Sequence, residues 1–122
     1  MESSHKGKSG LRRLISATRY SLAGLAAALR HEDAFRQEVM LAVILVPTGV
    51  LLGKTGVERA LLVGSVLLVL VIELLNSAIE AAVDRVSLDD HKLAKRAKDL
   101  GSAAVMLSLV NVAVVWALIL AR

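Results

Sequence analysis

A chain of 122 residues with 56% apolar, 21% charged and 2% aromatic side chains is greasier than soluble domains, which run at about 45–50% apolar. So short a polypeptide has too little interior to hide the surplus, which excludes a small water-soluble globule and points to lipid. The formal net charge of +4 suits anionic membrane surfaces or phosphates, and the absence of cysteine rules out a disulfide framework and a thiolate metal site.

Residues 1–10 are polar and small without periodicity and read as a flexible arm. No apolar stretch of signal-peptide type follows them. Over 11–31 the pattern changes. Leu11, Leu14, Ile15, Leu22, Leu25, Ala26 and Leu29 fall within about 120° of a helical wheel, with Arg12, Arg13, Arg19, Tyr20 and Arg30 on the other side. An apolar stripe opposed by a basic face predicts an amphipathic helix lying in the headgroup plane.

Three long apolar stretches come next: 39–53 with Pro47 inside, 60–83 interrupted by Glu73, Asn76 and Glu80, and 101–121. About 20 helical residues cross roughly 30 Å of hydrocarbon. With their flanks the stretches predict membrane helices over 33–53, 58–86 and 91–121, in one membrane-embedded all-α domain. Lys6, Lys8, Arg12, Arg13, Arg19, Arg30 and Arg36 precede the first span, and Arg85, Lys92, Lys95, Arg96 and Lys98 surround the second connection, against only Lys54 and Arg59 in the first. That asymmetry predicts a cytoplasmic amino terminus and a cytoplasmic 84–99 loop, with the 53–59 turn and Arg122 on the far side.

Acids inside an apolar segment are expensive and mark function by default. With Glu73 as the zero of angle, Asn76, Ser77, Glu80 and Asp84 fall at about −60°, +40°, −20° and +20°, so the second span carries one polar stripe. Polar residues that merely glue helices together need not be ionisable, whereas Glu73 and Glu80 stand about 10 Å apart along the axis. The third span opens with His91, Lys95, Lys98 and Ser102 within about 60° of arc and Asp99 beside them. Snorkelling anchors would explain the lysines but not Asp89, Asp90 and Asp99. Glu32, Asp33 and Glu38, just before the first span, are expected to complete a ring of acids at one membrane level. A hard cation such as Mg²⁺ would take one or two of these carboxylates plus phosphate oxygens.

Thr48-Gly49-Val50-Leu51-Leu52-Gly53-Lys54-Thr55 resembles a phosphate-binding loop, but its first required glycine is Thr48 and no strand precedes it. Gly7-Lys8-Ser9 is weaker still. His5, His31 and His91 are scattered, and one tyrosine, one phenylalanine and one tryptophan supply no stacking platform, so no nucleic acid is expected as a partner.

Glu73-Leu-Leu-Asn76-Ser77-Ala78-Ile79-Glu80-Ala-Ala-Val-Asp84-Arg85 and Ala97-Lys98-Asp99-Leu100-Gly101-Ser102-Ala103-Ala104, together with Glu32-Asp33-Ala34-Phe35-Arg36-Gln37-Glu38, closely resemble the prokaryotic diacylglycerol kinase family of small membrane lipid kinases. The resemblance implies a homotrimer in the bacterial inner membrane. Each subunit would have three transmembrane helices and an amphipathic surface helix among the membrane lipids. It would transfer the γ-phosphoryl of MgATP to diacylglycerol. The resemblance further implies Glu73 as general base and Glu32 and Glu80 as metal ligands. Nucleotide contacts would come from Arg13, Tyr20, Glu32, Glu80, Asp89, Asp90, His91, Lys98 and Asp99. Lipid contacts would come from Arg13, Glu38, Glu73 and Ser102. The acidic Asp89-Asp90 pair departs from the best-known members.

The nearest alternative is an undecaprenol kinase of the same fold; Phe35-Arg36-Gln37-Glu38 resembles the diacylglycerol-specific branch more closely. The rival from another class is a non-enzymatic ion pathway lined by Glu73 and Glu80. A pathway would spread polar residues across the whole span, yet 60–72 holds only Gly64 and Ser65 as non-hydrophobic members beyond the turn.

Overall fold

The computed structural model describes residues 6–86 and 91–122, all of them in helices or in short connections between helices. The helices are α1 Lys6–His31, α2 Asp33–Leu52, α3 Gly56–Val86 and α4 His91–Leu120. They fall into two units, Met1–Glu32 and Asp33–Arg122.

The first unit is α1. It begins at Lys6, ahead of Leu11, so the second half of the expected arm continues the helix; nothing between Lys6 and Gly10 forbids helical geometry, since the stretch has no proline. The apolar stripe is exposed at Leu11, Leu14, Ile15, Leu22, Leu25 and Leu29, as an interfacial helix requires. Arg30 and His31 occupy the last turn, where cations complement the helix dipole.

The second unit holds three helices, each long and apolar enough to cross a membrane. The chain starts α2 at Asp33, whose carboxylate pairs with Arg36 one turn on and favours the positive end of the helix. α2 runs through Pro47, and Thr48 Oγ1 donates to the Ile44 carbonyl at 2.7 Å. Thr55 starts α3: its hydroxyl accepts from the Glu58 amide at 3.1 Å, while Glu58 Oε1 accepts from the Lys54 amide at 2.8 Å. That is close to a capping box.

α3 packs against both α2 and α4. Of its buried positions, Leu62, Val66, Val69, Glu73 and Asn76 are spaced by four, three, four and three residues, with Ser65 buried beside Val66. This is the alternation of a seam between nearly antiparallel helices. Phe35, Ala42 and Gly49 of α2 and Gly101 and Ser108 of α4 are buried on the flanking helices. Small residues dominate these contacts, because without a hydrophobic drive in lipid, helices associate through close approach of their backbones. Ser65 and Ser108 turn their hydroxyls back onto Leu62 and Val105 carbonyls of their own helices, at 2.9 and 2.7 Å, so neither leaves an orphan donor.

At one end the seam is pinned by Trp116, whose Nε1–H donates to the Leu62 carbonyl at 3.1 Å. Gly49 lies so close that a Cβ there would stand 3.1 Å from Leu62 Cβ and 3.5 Å from the Trp116 ring. The same end is clasped by Arg122, which bonds Glu58 at 2.9 Å and the Leu52 carbonyl at 3.1 Å. The 53–59 turn and Arg122 therefore share one end, the end to which the small number of Lys and Arg in the first connection assigns them. Thr48–Thr55 is the end of α2 and the turn beyond it, with no strand before it, so the phosphate-loop likeness has no structural support.

Candidate active site

The polar residues of α3 occupy the same seam as its apolar core. From Leu62 to Val69 the buried positions are aliphatic or hydroxyl; from Glu73 onward they are a carboxyl and an amide. The packing face thus changes chemistry halfway along the helix without changing direction.

Glu73 is 6% exposed, and the carboxyl that meets it comes from α2: Glu38 lies within hydrogen-bonding reach of Glu73. Glu38 Oε1 is buried and has no hydrogen-bond partner, a costly state for an oxygen acceptor. This contact corrects the expected ring of acids. Glu38 stands about 7.5 Å deeper along α2 than Asp33, because five residues separate them, and Asp33 pairs with Arg36 instead.

One turn beyond Glu73, Asn76 is 8% exposed. Its Nδ2 donates to Glu80 Oε2 at 3.4 Å, and its Oδ1 is buried without a partner. Gly101 of α4 lies directly against that oxygen. Lys98, one turn before Gly101, reaches across to α3: its Nζ is 2.7 Å from Asp84 Oδ1 and feels the charge of Glu80. Lys95 instead pairs with Asp99 on α4's own surface at 2.8 Å.

A line of groups therefore runs from Glu38 and Glu73, through Asn76 and Glu80, to Lys98 and Asp84. It spans about 16 Å of helix axis between residues 73 and 84. One extreme is buried and acidic. The other is open, with Lys98 about half exposed. An alcohol arriving from hydrocarbon and an anion arriving from water would meet along such a line.

Ser102 and His91 are exposed on α4, and Asp89 and Asp90 lie outside the described residues. Arg13 and Tyr20 belong to α1, where they line one shallow depression with Gly10, Leu14, Ser16 and Ala17. Glu32 ends that unit and is part-buried. Among the described residues no three His, Asp or Glu side chains cluster as a metal cage. Glu80 beside the orphan Asn76 Oδ1 still offers hard oxygen donors. Mg²⁺ commonly settles for one or two carboxylates with water and phosphate oxygens, so these donors fit a metal that arrives with a nucleotide.

Sequence reasoning missed three contacts: Glu38 with Glu73, Lys98 with Asp84, and Gly101 with Asn76. Of these only Gly101 left a mark, as a glycine where the polar first third of α4 gives way to its apolar stretch.

Comparison with known proteins adds an independent line. The family model for prokaryotic diacylglycerol kinase matches residues 19–120. The chain is 56% identical over 115 residues to a diacylglycerol kinase of Pseudomonas aeruginosa, covering 94% of each chain. It is 51% identical over 107 residues to one of Haemophilus influenzae, covering 88% of this chain and 91% of the other. To that of Escherichia coli strain K12 it is 44% identical over 111 residues, covering 91% of each.

Proposed function

The chain belongs to the prokaryotic diacylglycerol kinase family, and from that premise we propose that the line from Glu38 and Glu73 to Lys98 is where this integral membrane enzyme phosphorylates diacylglycerol with ATP. The contact of Glu38 with Glu73 carries the reading. It puts a carboxylate pair where a lipid hydroxyl can approach from the bilayer, with the cation of Lys98, paired to Asp84, about three turns along α3.

Phosphoryl transfer asks little covalent work of a protein; it needs positioning, charge neutralisation and a destination for one proton. Glu38 Oε1, lacking a partner, accepts a hydrogen bond from the lipid and orients it, with Ser102 and Arg13 as further lipid contacts. Glu73 takes the hydroxyl proton as the new oxygen–phosphorus bond forms and the bond between the β- and γ-phosphates breaks, leaving ADP. Asn76 holds the Glu80 carboxylate in place. Lys98, drawn from Asp84 to phosphate, steadies the transferring group.

Nucleotide contacts also fall to Arg13, Tyr20, Glu32, Glu80, Asp89, Asp90, His91 and Asp99. Glu32 and Glu80 would hold Mg²⁺, which when bound neutralises phosphate charge. The enzyme works as a homotrimer in the bacterial inner membrane with its amino terminus cytoplasmic; the concentration of Lys and Arg at the amino terminus and around the 84–99 loop supports that orientation. The undecaprenol and ion-pathway readings are not favoured, since the named relatives are diacylglycerol kinases.

Purified protein in detergent, given labelled ATP and either diacylglycerol or undecaprenol, tests the assignment. Label in phosphatidic acid is the expected result. Label in the undecaprenol product alone, or in neither lipid, overturns it.

A further inference from the structure

α4 divides its cations between two sides. Lys98 reaches α3, where its Nζ meets Asp84 Oδ1 at 2.7 Å, whereas Arg96 and Lys92 stand about 160° and 120° around the helix from it. Those two residues, with Lys95 and Asp99, line a shallow depression on α4 whose remaining lining is apolar, Leu100 and Ala103. Gly101 and Ser108 are buried on the opposite side of the helix, so the depression is turned away from α3.

Its charge is unbalanced. Lys95 pairs with Asp99 at 2.8 Å, and among the described residues neither Lys92 nor Arg96 has an ion-pair partner. Two positive charges are left over, both on exposed side chains. Lys92 and Arg96 are four residues apart, neighbours on the helix surface, so both can reach a single phosphate.

Beyond the cations the same side of α4 becomes aliphatic. Measured from Leu100, Arg96 and Lys92 fall at about −40° and −80° on the helical wheel, and Leu107, Val110 and Val114 at about −20°, −80° and −40°. Leu100, Leu107, Val110 and Val114 are all exposed. From Arg96 to Val110 is about 21 Å along the axis, close to half of the roughly 40–45 Å that a bilayer spans with its headgroups. The track is one leaflet deep.

We propose that this side of α4 holds one anionic phospholipid of the surrounding leaflet, its phosphate between Lys92 and Arg96 and a tail along Leu100, Leu107 and Val110. The site lies across α4 from the line of Glu73 and Lys98, so it stands whether or not that line is where phosphate is transferred. A water-borne anion would leave the aliphatic track bare, and a zwitterionic headgroup would bring an ammonium of its own to the two cations. Lysines and arginines beside a membrane span draw anionic lipid, and a guanidinium grips two phosphate oxygens at once. Snorkelling alone would hold the stems at the interface without choosing a headgroup.

The test uses the full chain in phosphatidylcholine nanodiscs, with a photoreactive phenylalanine analogue in place of Leu107 and a small fraction of radiolabelled phosphatidylglycerol. At equal mole fraction, its capture should exceed that of labelled phosphatidylcholine about tenfold or more, since each nearby cation favours anionic lipid about fivefold. Lys92→Gln combined with Arg96→Gln should abolish the excess. Lys92→Arg combined with Arg96→Lys should keep it, which separates lost charge from lost folding. Equal capture of the two lipids by the chain with Lys92 and Arg96 in place, or an excess that survives the glutamine pair, overturns the proposal.

Neither glycerol 1-phosphate nor MgATP in excess should displace the label. Displacement by either makes the depression a site for phosphate esters from water and overturns the lipid assignment. So does a crosslink between two chains in place of lipid, which would make a second copy of the chain the occupant.

Discussion

Gly101 of α4 and the amide oxygen of Asn76 on α3 occupy adjoining space so closely that a side-chain carbon on residue 101 would fall upon Asn76 Oδ1. The only remedies are to rotate the amide away from Glu80 or to push α4 outward.

Gly101→Ala should therefore cost about 1–3 kcal/mol of stability, the usual range for overpacking, and lower kcat by misplacing Glu80. Gly64→Ala is the matched control, because nothing lies within 4 Å of a Cβ there; it should be neutral or stabilising by up to about 1 kcal/mol. Thermal unfolding in detergent and kinase turnover check both. Equal behaviour of the two variants would remove the role given to the Gly101 contact.

Glu73→Gln keeps the shape of the side chain while removing proton acceptance. The chain should fold and bind nucleotide, with kcat reduced about 100-fold or more, as expected when a general base is lost. Glu38→Gln should act mainly on KM for the lipid. A kcat loss in Glu38→Gln equal to that in Glu73→Gln would merge their roles.

Glu80→Gln should shift the Mg²⁺ dependence of turnover to higher concentration. Asn76→Ala, which frees the Glu80 carboxylate from its 3.4 Å contact, should show a milder shift in the same direction. A magnesium titration of each variant decides the matter, and an unmoved midpoint in Glu80→Gln counts against metal ligation.

Lys98 and Asp84 form an ion pair with both side chains substantially exposed, and such pairs contribute about 0–1 kcal/mol to stability. Lys98→Met should accordingly leave the melting temperature nearly unchanged while raising KM for ATP or slowing transfer. Asp84→Asn should perturb ATP kinetics less. Unaltered kinetics in Lys98→Met would make Lys98 a membrane anchor.

Trp116→Phe removes the donor that reaches the Leu62 carbonyl at 3.1 Å. A loss of about 0.5–1.5 kcal/mol is expected, seen as a lower melting temperature with KM for ATP unaffected. The residue lies about 22 Å along α4 from Gly101, too far to touch nucleotide.

The spans and the surface helix were legible because twenty-residue apolar stretches and a one-sided stripe are local properties of a sequence. The stripe from Glu73 to Asp84 was legible for the same reason. Its partners were not. Periodicity tells which face of α3 is polar, but the meeting of Glu38 with Glu73 depends on how far α2 slides along α3. That slide is set by small residues such as Ala42 and Gly49, whose meaning appears only once the helices are packed. Depth misled in the same way: Asp33 and Glu38 are neighbours in sequence, yet a helix standing on end carries them to different levels.

The abrupt change of the α3 seam at Val69 has an electrical consequence. Below Glu73 the buried positions of α3 are aliphatic apart from Ser65, and the hydroxyls of Ser65 and Ser108 and the Trp116 indole N–H are each committed to a backbone carbonyl, so among the described residues buried in this seam none of these donors is left to hand a proton onward. Within this seam the ionisable groups are gathered toward one end, and the packed side chains of the other end offer a proton no onward relay.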